Sequence, residues 1–338
     1  MAVDPQRPAL SSRRRLVRSA VRLLGPVILV VLLWRLGDAD EVWRRMVSAD
    51  LSLIGVAVLI NFANIHLKVL RWRALLAARG IHYPLGRAWG AFLSSLYVGM
   101  LTPGRVGDVL RIQYLRHDED TPYAEGLASV VMDRLCDLYV LGFMVAAAIA
   151  RFSSVVVGDL ATIAWLGVGA VVVAPIVLLV PGLAEKTMGV IYSRVAKDSS
   201  GLDRFLAALR GYLGRGLIAA VPLSVLAILL TFVQGWLIAR SVGLDLSYVD
   251  VAALLAIGNL LGLLPVSISG VGVREAFYAV IFPSLGFSAS DGVGFGLLVF
   301  VVIYVGLTLK GFVSWQIAPP PTQPVDEVAE DDVSDEGS

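Results

Sequence analysis

The residues of this sequence best suited to chemistry are charges set beside glycines inside long apolar runs. One such place reads Leu101-Thr102-Pro103-Gly104-Arg105-Val106-Gly107-Asp108, with Arg111 just beyond it. A second runs from Pro265 through Ser267, Ser269, Gly270 and Gly272 to Arg274-Glu275. Proline removes a backbone donor and glycine opens backbone conformations, so Pro103, Gly104, Gly107, Pro265, Gly270 and Gly272 are the expected hinges of interrupted helices. Arg105, Asp108, Arg111, Arg274 and Glu275 then put charge where hydrocarbon penalises it. Arginine suits a phosphate because its planar fork donates two parallel hydrogen bonds, and a helix N-terminus at the second break would favour an anion. The plainer alternative for the first break is a loop at the surface, with Arg105 and Arg111 as topology markers and Asp108 as a helix cap. For the second it is an internal ion pair between Arg274 and Glu275.

Two further groups lie on apolar helices. Asp133, Arg134 and Asp137 interrupt a long span, and Ser129, Asp133 and Asp137 fall on one helical face. They form either a structural ion pair or a charge relay. Asn61, Asn64 and Lys68 share another face, with Arg71 continuing the stripe, which either lines a head-group path or lets Lys68 and Arg71 reach the interface. Cys136 is the only cysteine, and His66, His82 and His117 are the only histidines. Neither a disulfide framework nor a Cys-His metal centre is expected, no nucleotide-binding or nucleophile-elbow motif is present, and no catalytic residue or cofactor is assigned.

The elements that must position these residues are membrane helices. Of 338 residues 57% are hydrophobic and 16% charged, with a mean hydropathy of +0.78, whereas soluble domains carry about 25% charged residues. The apolar runs are continuous, which excludes the alternating pattern of a β-barrel. We expect an all-α polytopic integral membrane protein with six full spans, near Leu23–Trp34, Leu51–Leu70, Ala124–Ala150, Leu160–Val180, Leu217–Ala239 and Val293–Trp315. Two re-entrant hairpins, near Trp89–Arg116 and Val251–Phe282, complete the bundle, although a complete span is the competing reading of the first. The basic N-terminal segment (residues 1–19) and the acidic tail (317–338) flank a membrane domain over 20–316. Its halves, about 20–150 and 160–316, read as an inverted repeat whose paired interruptions point to a midplane site. The arginines before Leu23 put the N-terminus in the cytoplasm, the bases after the second span put that end there too, and the acidic tail is expected on the same side. Without the seven acids between Asp326 and Glu336 the chain has 28 bases against 20 acids, a surplus that fits either anionic lipid heads or the topology signal alone.

The combination of Arg71-Trp72-Arg73, Leu101 to Asp108, Asp133-Arg134-x-x-Asp137 and Pro265 to Glu275 resembles the flippase-like transmembrane domain of lysylphosphatidylglycerol synthases, over roughly residues 20 to 316. That resemblance implies a multi-pass protein of a bacterial or archaeal cell membrane. It also implies movement of phospholipid, with aminoacyl transfer left to a separate soluble domain that this chain does not include. The expected partners are membrane lipids, anionic ones first, and not nucleic acid. The favoured function is that of a translocase for a phospholipid or polyprenyl-phosphate lipid, not an enzyme. The alternatives are a non-catalytic partner of a lipid-modifying or glycosyl transferase, and an intramembrane transferase on a polyprenyl-phosphate lipid with Asp133 as base.

Overall fold

A computed structural model of the chain describes residues 27–32, 34, 39–102, 107–153, 155, 157–186, 200–263 and 270–321, and among them every regular element is helical. A short helix α1 (Ala39–Val47) precedes α2 (Leu51–Ala78), α3 (Leu85–Leu101), α4 (Leu110–Glu119), α5 (Tyr123–Arg151) and α6 (Gly158–Leu179). Then come α7 (Ser200–Arg210), α8 (Arg215–Ser241), α9 (Tyr248–Leu261), α10 (Val273–Ile281) and α11 (Ala289–Val299). A π-helical segment, Phe300–Val305, joins α11 to α12 (Gly306–Ile317) without a break.

Leu51–Ala78, Arg215–Ser241 and Ala289–Ile317 are each long and apolar enough to cross a membrane. Helix α5 has 29 residues, enough for a span, but holds Asp133, Arg134 and Asp137 in its length. The expected first span is described only at residues 27–32 and 34, which are helical. The expected second span is longer than the hydropathy suggested: α2 continues to Ala78, so Arg71 lies inside the helix and not at its end. The stretch between Val180 and Arg215 is no simple loop, because α7 packs Leu202, Phe205, Leu206 and Leu209 against Met132 and Leu135 of α5.

The inverted repeat is visible in how helices start and stop. Just past the end of helix α2 stands Gly80, with φ +81°, and just past α8 stands Gly243, with φ +76°. In both, the next N–H reaches back over a full turn, from Ile81 to Leu76 O and from Leu244 to Ala239 O, each 3.0 Å. This Schellman closure satisfies a carbonyl the helix would otherwise leave open. The following helix starts five positions on in each half, at Leu85 and at Tyr248. The hairpins end on a left-handed residue, Asp120 (φ 47°) and Gly286 (φ 85°), and three positions later α5 and α11 begin.

Pairing follows the same exchange. Helix α2 packs along α8, α3 packs on α12 while α9 packs on α5, and α4 packs on α5 while α10 packs on α11. Helices α2 and α8 are antiparallel, since Asp50 N donates to Ser241 O (2.8 Å) at one end and Gly216 meets Ala78 at the other. Between those ends Asn64 Nδ2 donates to Ala227 O (2.5 Å). Both residues lie sixteen before their helix-ending glycine, so the pseudo-two-fold axis passes through this contact.

Each rim of the bundle is tied by polar bonds. At one rim Arg45 pairs with Asp291, and Arg151 Nη2 with Asp250 Oδ1 (2.6 Å). At the other, Arg79 Nη2 meets Glu125 Oε1 (3.0 Å), and Tyr83 Oη donates to Asp118 Oδ2 (2.6 Å). Burial, and then the Asp118 carboxylate, push the Tyr83 hydroxyl pKa above its ordinary value. That bond ties the foot of α4 to the corner where α3 begins.

Both hairpins close on paired glycines. A Cβ built on Gly107 would lie 2.8 Å from the Gly99 Cα, and one on Gly270 would lie 2.8 Å from the Gly262 Cα. Backbone on backbone leaves nothing to yield, so overpacking by a single methyl should cost about 1–3 kcal/mol. Gly107→Ala and Gly270→Ala are therefore expected to lower the thermal midpoint in detergent by several degrees. Gly55→Ala, whose new methyl meets nothing within 4 Å, should leave it unchanged. Equal midpoints for all three would refute the close-approach account.

Candidate functional site

Three charges on one apolar helix are costly, each about 2.5–3.5 kcal/mol on insertion scales unless paired. The structure pairs all three on α5. Arg71 Nε donates to Asp133 Oδ1 (2.7 Å), and its two terminal nitrogens reach Asp137, Nη2 at 3.2 Å. Ser224 Oγ of α8 takes a further bond from Arg71 Nη1 (3.0 Å). The second oxygen of Asp133 accepts from Arg111 Nη1 (3.0 Å). Arg71, Arg111 and Asp133 are all 0% exposed, so one carboxylate bridges two guanidiniums from α2 and α4.

The network opens outward through half-buried groups. Arg134 Nη2 pairs with Asp108 Oδ2 (2.5 Å) and its Nη1 lies 3.6 Å from Asp137. Lys68 Nζ is 3.9 Å from the same carboxylate. Lys68, Arg71, Arg111 and Arg134 stand against Asp108, Asp133 and Asp137, four cations to three anions. Arg111 lies between two aromatic faces, its Cζ 5.1 Å from the Trp72 ring and 4.8 Å from Phe92. Its Nε and Nη2, with Asp108 Oδ1 and Arg134 Nε, have no hydrogen-bond partner among the described residues. A surplus positive charge with unused donors is suited to an incoming anion.

The second group is smaller. Arg274 Nη2 and Nε donate to Glu275 Oε1 (2.9 and 3.2 Å), and Glu275 Oε2 accepts the Gly272 N–H (2.5 Å) that starts α10. Gly272, at φ +88°, gives the turn that aims this N–H. Both side chains are buried. The Arg274 Cζ lies 4.9 Å from the Tyr304 ring, whose hydroxyl donates to Asn259 Oδ1 (2.9 Å). Gly296 of α11 makes the room, since a Cβ there would come within 2.9 Å of the Glu275 side chain.

The two groups are related by the repeat. Gly99, Gly107 and Arg111 stand 19, 27 and 31 residues after Gly80, and Gly262, Gly270 and Arg274 stand at the same distances after Gly243. Each half thus carries Gly-x7-Gly-x3-Arg, with the arginine buried, ion-paired and against aromatic rings. This register makes Arg111, and not Arg105, the counterpart of Arg274. Arg105, Pro103, Gly104 and Pro265 lie outside the described residues.

Taking about 1.5 Å per helical residue, Arg111 sits about 13 Å in from Asp120 at one rim, and Arg274 about 18 Å in from Gly286 at the other. Helix α2 is about 42 Å long on the same measure. Counted along their hairpins, both arginines therefore lie well in from the helix ends, Arg111 from one rim and Arg274 from the other.

The polar stripe of α2 is used as interhelical contact. Asn64 bonds Ala227 O and Thr231 Oγ1 (2.8 Å), and Asn61 Oδ1 accepts from Lys310 Nζ (2.8 Å). Arg71, expected to line a head-group path or to reach the interface, bonds Asp133 and Asp137 because α2 continues past it. Ser129, Asp133 and Asp137 do share the face that meets α2, Ser129 accepting from Trp72 Nε1 (3.3 Å). The sequence motifs do not single out Gly99, Gly262, Phe92, Tyr304 or Lys310. The equal glycine-to-arginine spacing is the signal available for the first two.

Residues 22–311 match the family model described as the lysylphosphatidylglycerol synthase TM region. Among curated proteins, the chain is 24% identical over 316 residues to a protein named Glycosyltransferase AglD from Haloferax volcanii, which covers 82% of this chain and 50% of that protein. It is 20% identical to a UPF0104 membrane protein of Methanocaldococcus jannaschii, over 90% of this chain and 96% of that one. A UPF0104 membrane protein of Methanothermobacter thermautotrophicus is 23% identical over 82% of this chain and 85% of its own length. The chain thus spans half the length of the glycosyltransferase and nearly all of the first UPF0104 protein.

Removing one member of a buried ion pair is expected to cost about 3–5 kcal/mol, because its partner stays charged. Asp133→Asn, which strands Arg111 and leaves Arg71 with the Asp137 carboxylate alone, should reduce unfolding stability in detergent by that order. Lys68→Ala, at a part-exposed pair, should cost under about 1 kcal/mol. Denaturant titration of the two variants checks the ranking, and an Asp133→Asn protein as stable as the parent would refute the bridging role.

Proposed function

This chain belongs to the lysylphosphatidylglycerol synthase transmembrane family, and from that premise we propose that it is a lipid translocase that takes hold of a phosphate-bearing head group at two symmetry-related arginine sites. The observation that carries this reading is the repeated Gly-x7-Gly-x3-Arg hairpin, which puts Arg111 and Arg274 inside the bundle from opposite rims. Repeats of inverted topology supply two such half-sites, and rocking one half against the other exposes each in turn. A phospholipid or a polyprenyl-phosphate lipid presents the anion the first site's surplus charge favours.

In this mechanism the head group enters beside Lys68 and Arg134, whose charges are part-exposed. It competes with Asp108 and Asp137 for their donors. Arg71 and Asp133 hold the helices α2, α4 and α5 in register while the outer pairs exchange. No bond is made or broken in the lipid, so no general base or metal is required and the protein acts without catalysing a reaction. The protein resides in a bacterial or archaeal cell membrane with both termini cytoplasmic. The arginine-rich corner of Arg73, Arg79 and Arg87 then marks the cytoplasmic rim.

A second reading comes from the half-length match to a protein named a glycosyltransferase: the chain serves as the membrane partner of a transferase that uses lipid-linked sugar. Vesicle reconstitution separates the two. Purified protein in liposomes with a head-labelled phosphatidylglycerol is expected to equilibrate the label across the bilayer faster than empty vesicles. Arg274→Lys keeps the charge but loses the fork and should slow this by about tenfold, the worth of one strong charge-assisted bond. Wild-type vesicles no faster than empty ones would overturn translocation. Turnover of a lipid-linked sugar by the chain alone would replace it with the transferase.

A further inference from the structure

Lys310 is a charge that neither half-site uses. It sits on α12, five residues after Val305, where the π-helical segment ends. Its ammonium donates to Asn61 Oδ1 at 2.8 Å and lies 4.2 Å from the centroid of the Phe62 ring. Among the described residues no carboxylate comes within ion-pair distance of it. Every other intramembrane cation of the half-sites has one: Arg71, Arg111, Arg134 and Lys68 on one side, Arg274 on the other. An ammonium kept inside an apolar helix with only an amide and an aromatic face carries a cost that pairing would have relieved.

Its depth makes the position informative. Asn61 lies one turn from Asn64, through which the pseudo-two-fold passes, so the Lys310 ammonium meets α2 close to mid-depth. The Arg111 group lies toward one rim from this point and the Arg274 group toward the other. Helix α12 reaches both neighbourhoods: Tyr304, at its π-helical lead-in, covers Arg274, and Lys310 meets the polar stripe of α2 that continues through Lys68 to Asp137. A π segment carries an extra residue per turn and re-aims the side chains beyond it, a device concentrated at functional sites. Here it sets Tyr304 toward α9 and α10 and Lys310 toward α2. Lys310 is half-buried, and Phe62 beside it is 46% exposed.

We propose that Lys310, held by Asn61, is a third anion site at mid-depth that receives the phosphate of a membrane lipid between the Arg111 and Arg274 half-sites. This rests on the translocase reading and assigns its intermediate station. The cation takes the phosphate oxygen that hydrocarbon cannot solvate. Phe62 leaves the acyl chains on the lipid side.

The test is lipid binding to the detergent-purified full chain by native mass spectrometry, with phosphatidylglycerol, diacylglycerol and inorganic phosphate as probes. Lys310→Gln keeps an N–H for Asn61 but removes the charge, and should weaken phosphatidylglycerol binding by about tenfold while diacylglycerol binding and the thermal midpoint stay as in wild type. Lys310→Arg should restore the affinity. Unchanged phosphatidylglycerol affinity in Lys310→Gln would overturn the site, as would equal losses for both lipids. Effective competition by inorganic phosphate would overturn the lipid assignment. Lys310-dependent binding in a protein that moves no label in vesicles would leave this site standing and sink the translocase. A vesicle-active protein whose Lys310→Gln variant binds normally would do the reverse.

Discussion

Charge inside hydrocarbon must be answered by charge, and one carboxylate does most of that work here. Asp133 offers one oxygen to Arg71 from α2 and the other to Arg111 from α4. Through that single side chain a full-length helix, the return arm of a hairpin and α5 are fixed in register. Hydrophobic packing adds little direction between helices in a bilayer, because lipid tails are as apolar as leucine. Ion pairs, glycine contacts and the amide bonds of Asn61, Asn64 and Gln234 therefore carry the specificity that a water-driven core would supply elsewhere.

The second half solves the same problem differently. Arg274 occupies the place of Arg111, but its counter-ion is its own neighbour Glu275, with Gly296 on α11 giving the space. Residue for residue, Arg71 corresponds to Gln234, which is buried and donates to Ala57 O (2.7 Å). One half thus holds a dense, net-positive network with part-exposed outer members, and the other a closed, neutral pair. The two halves thus share a backbone plan while differing in charge and exposure.

Much of this was legible in the sequence, for physical reasons. Hydropathy and the interrupted glycine segments gave the helical class, the broken hairpins and the inverted halves, since helices and closed barrels alone satisfy the backbone in lipid. The shared face of Ser129, Asp133 and Asp137 followed from helical periodicity. The partner of that face did not: positive residues at a span's end look alike whether they reach to the interface or turn inward, so the buried role of Arg71 awaited the observation that α2 continues to Ala78. The amphipathic α7 was hidden because a short helix with a polar face resembles a charged loop. Nothing in the sequence sets Lys310 apart from any lysine near the end of an apolar run, and only its contact with Asn61 shows that it meets α2 near the middle of that helix.

The most direct test of the whole account is where the phosphate of a bound lipid sits, seen by electron cryomicroscopy of the protein in nanodiscs rich in phosphatidylglycerol. The account predicts head-group density inside the bundle, within hydrogen-bond reach of Arg111, Lys310 or Arg274. Ordered lipid confined to the outer belt, with all three side chains sealed by protein, would contradict it.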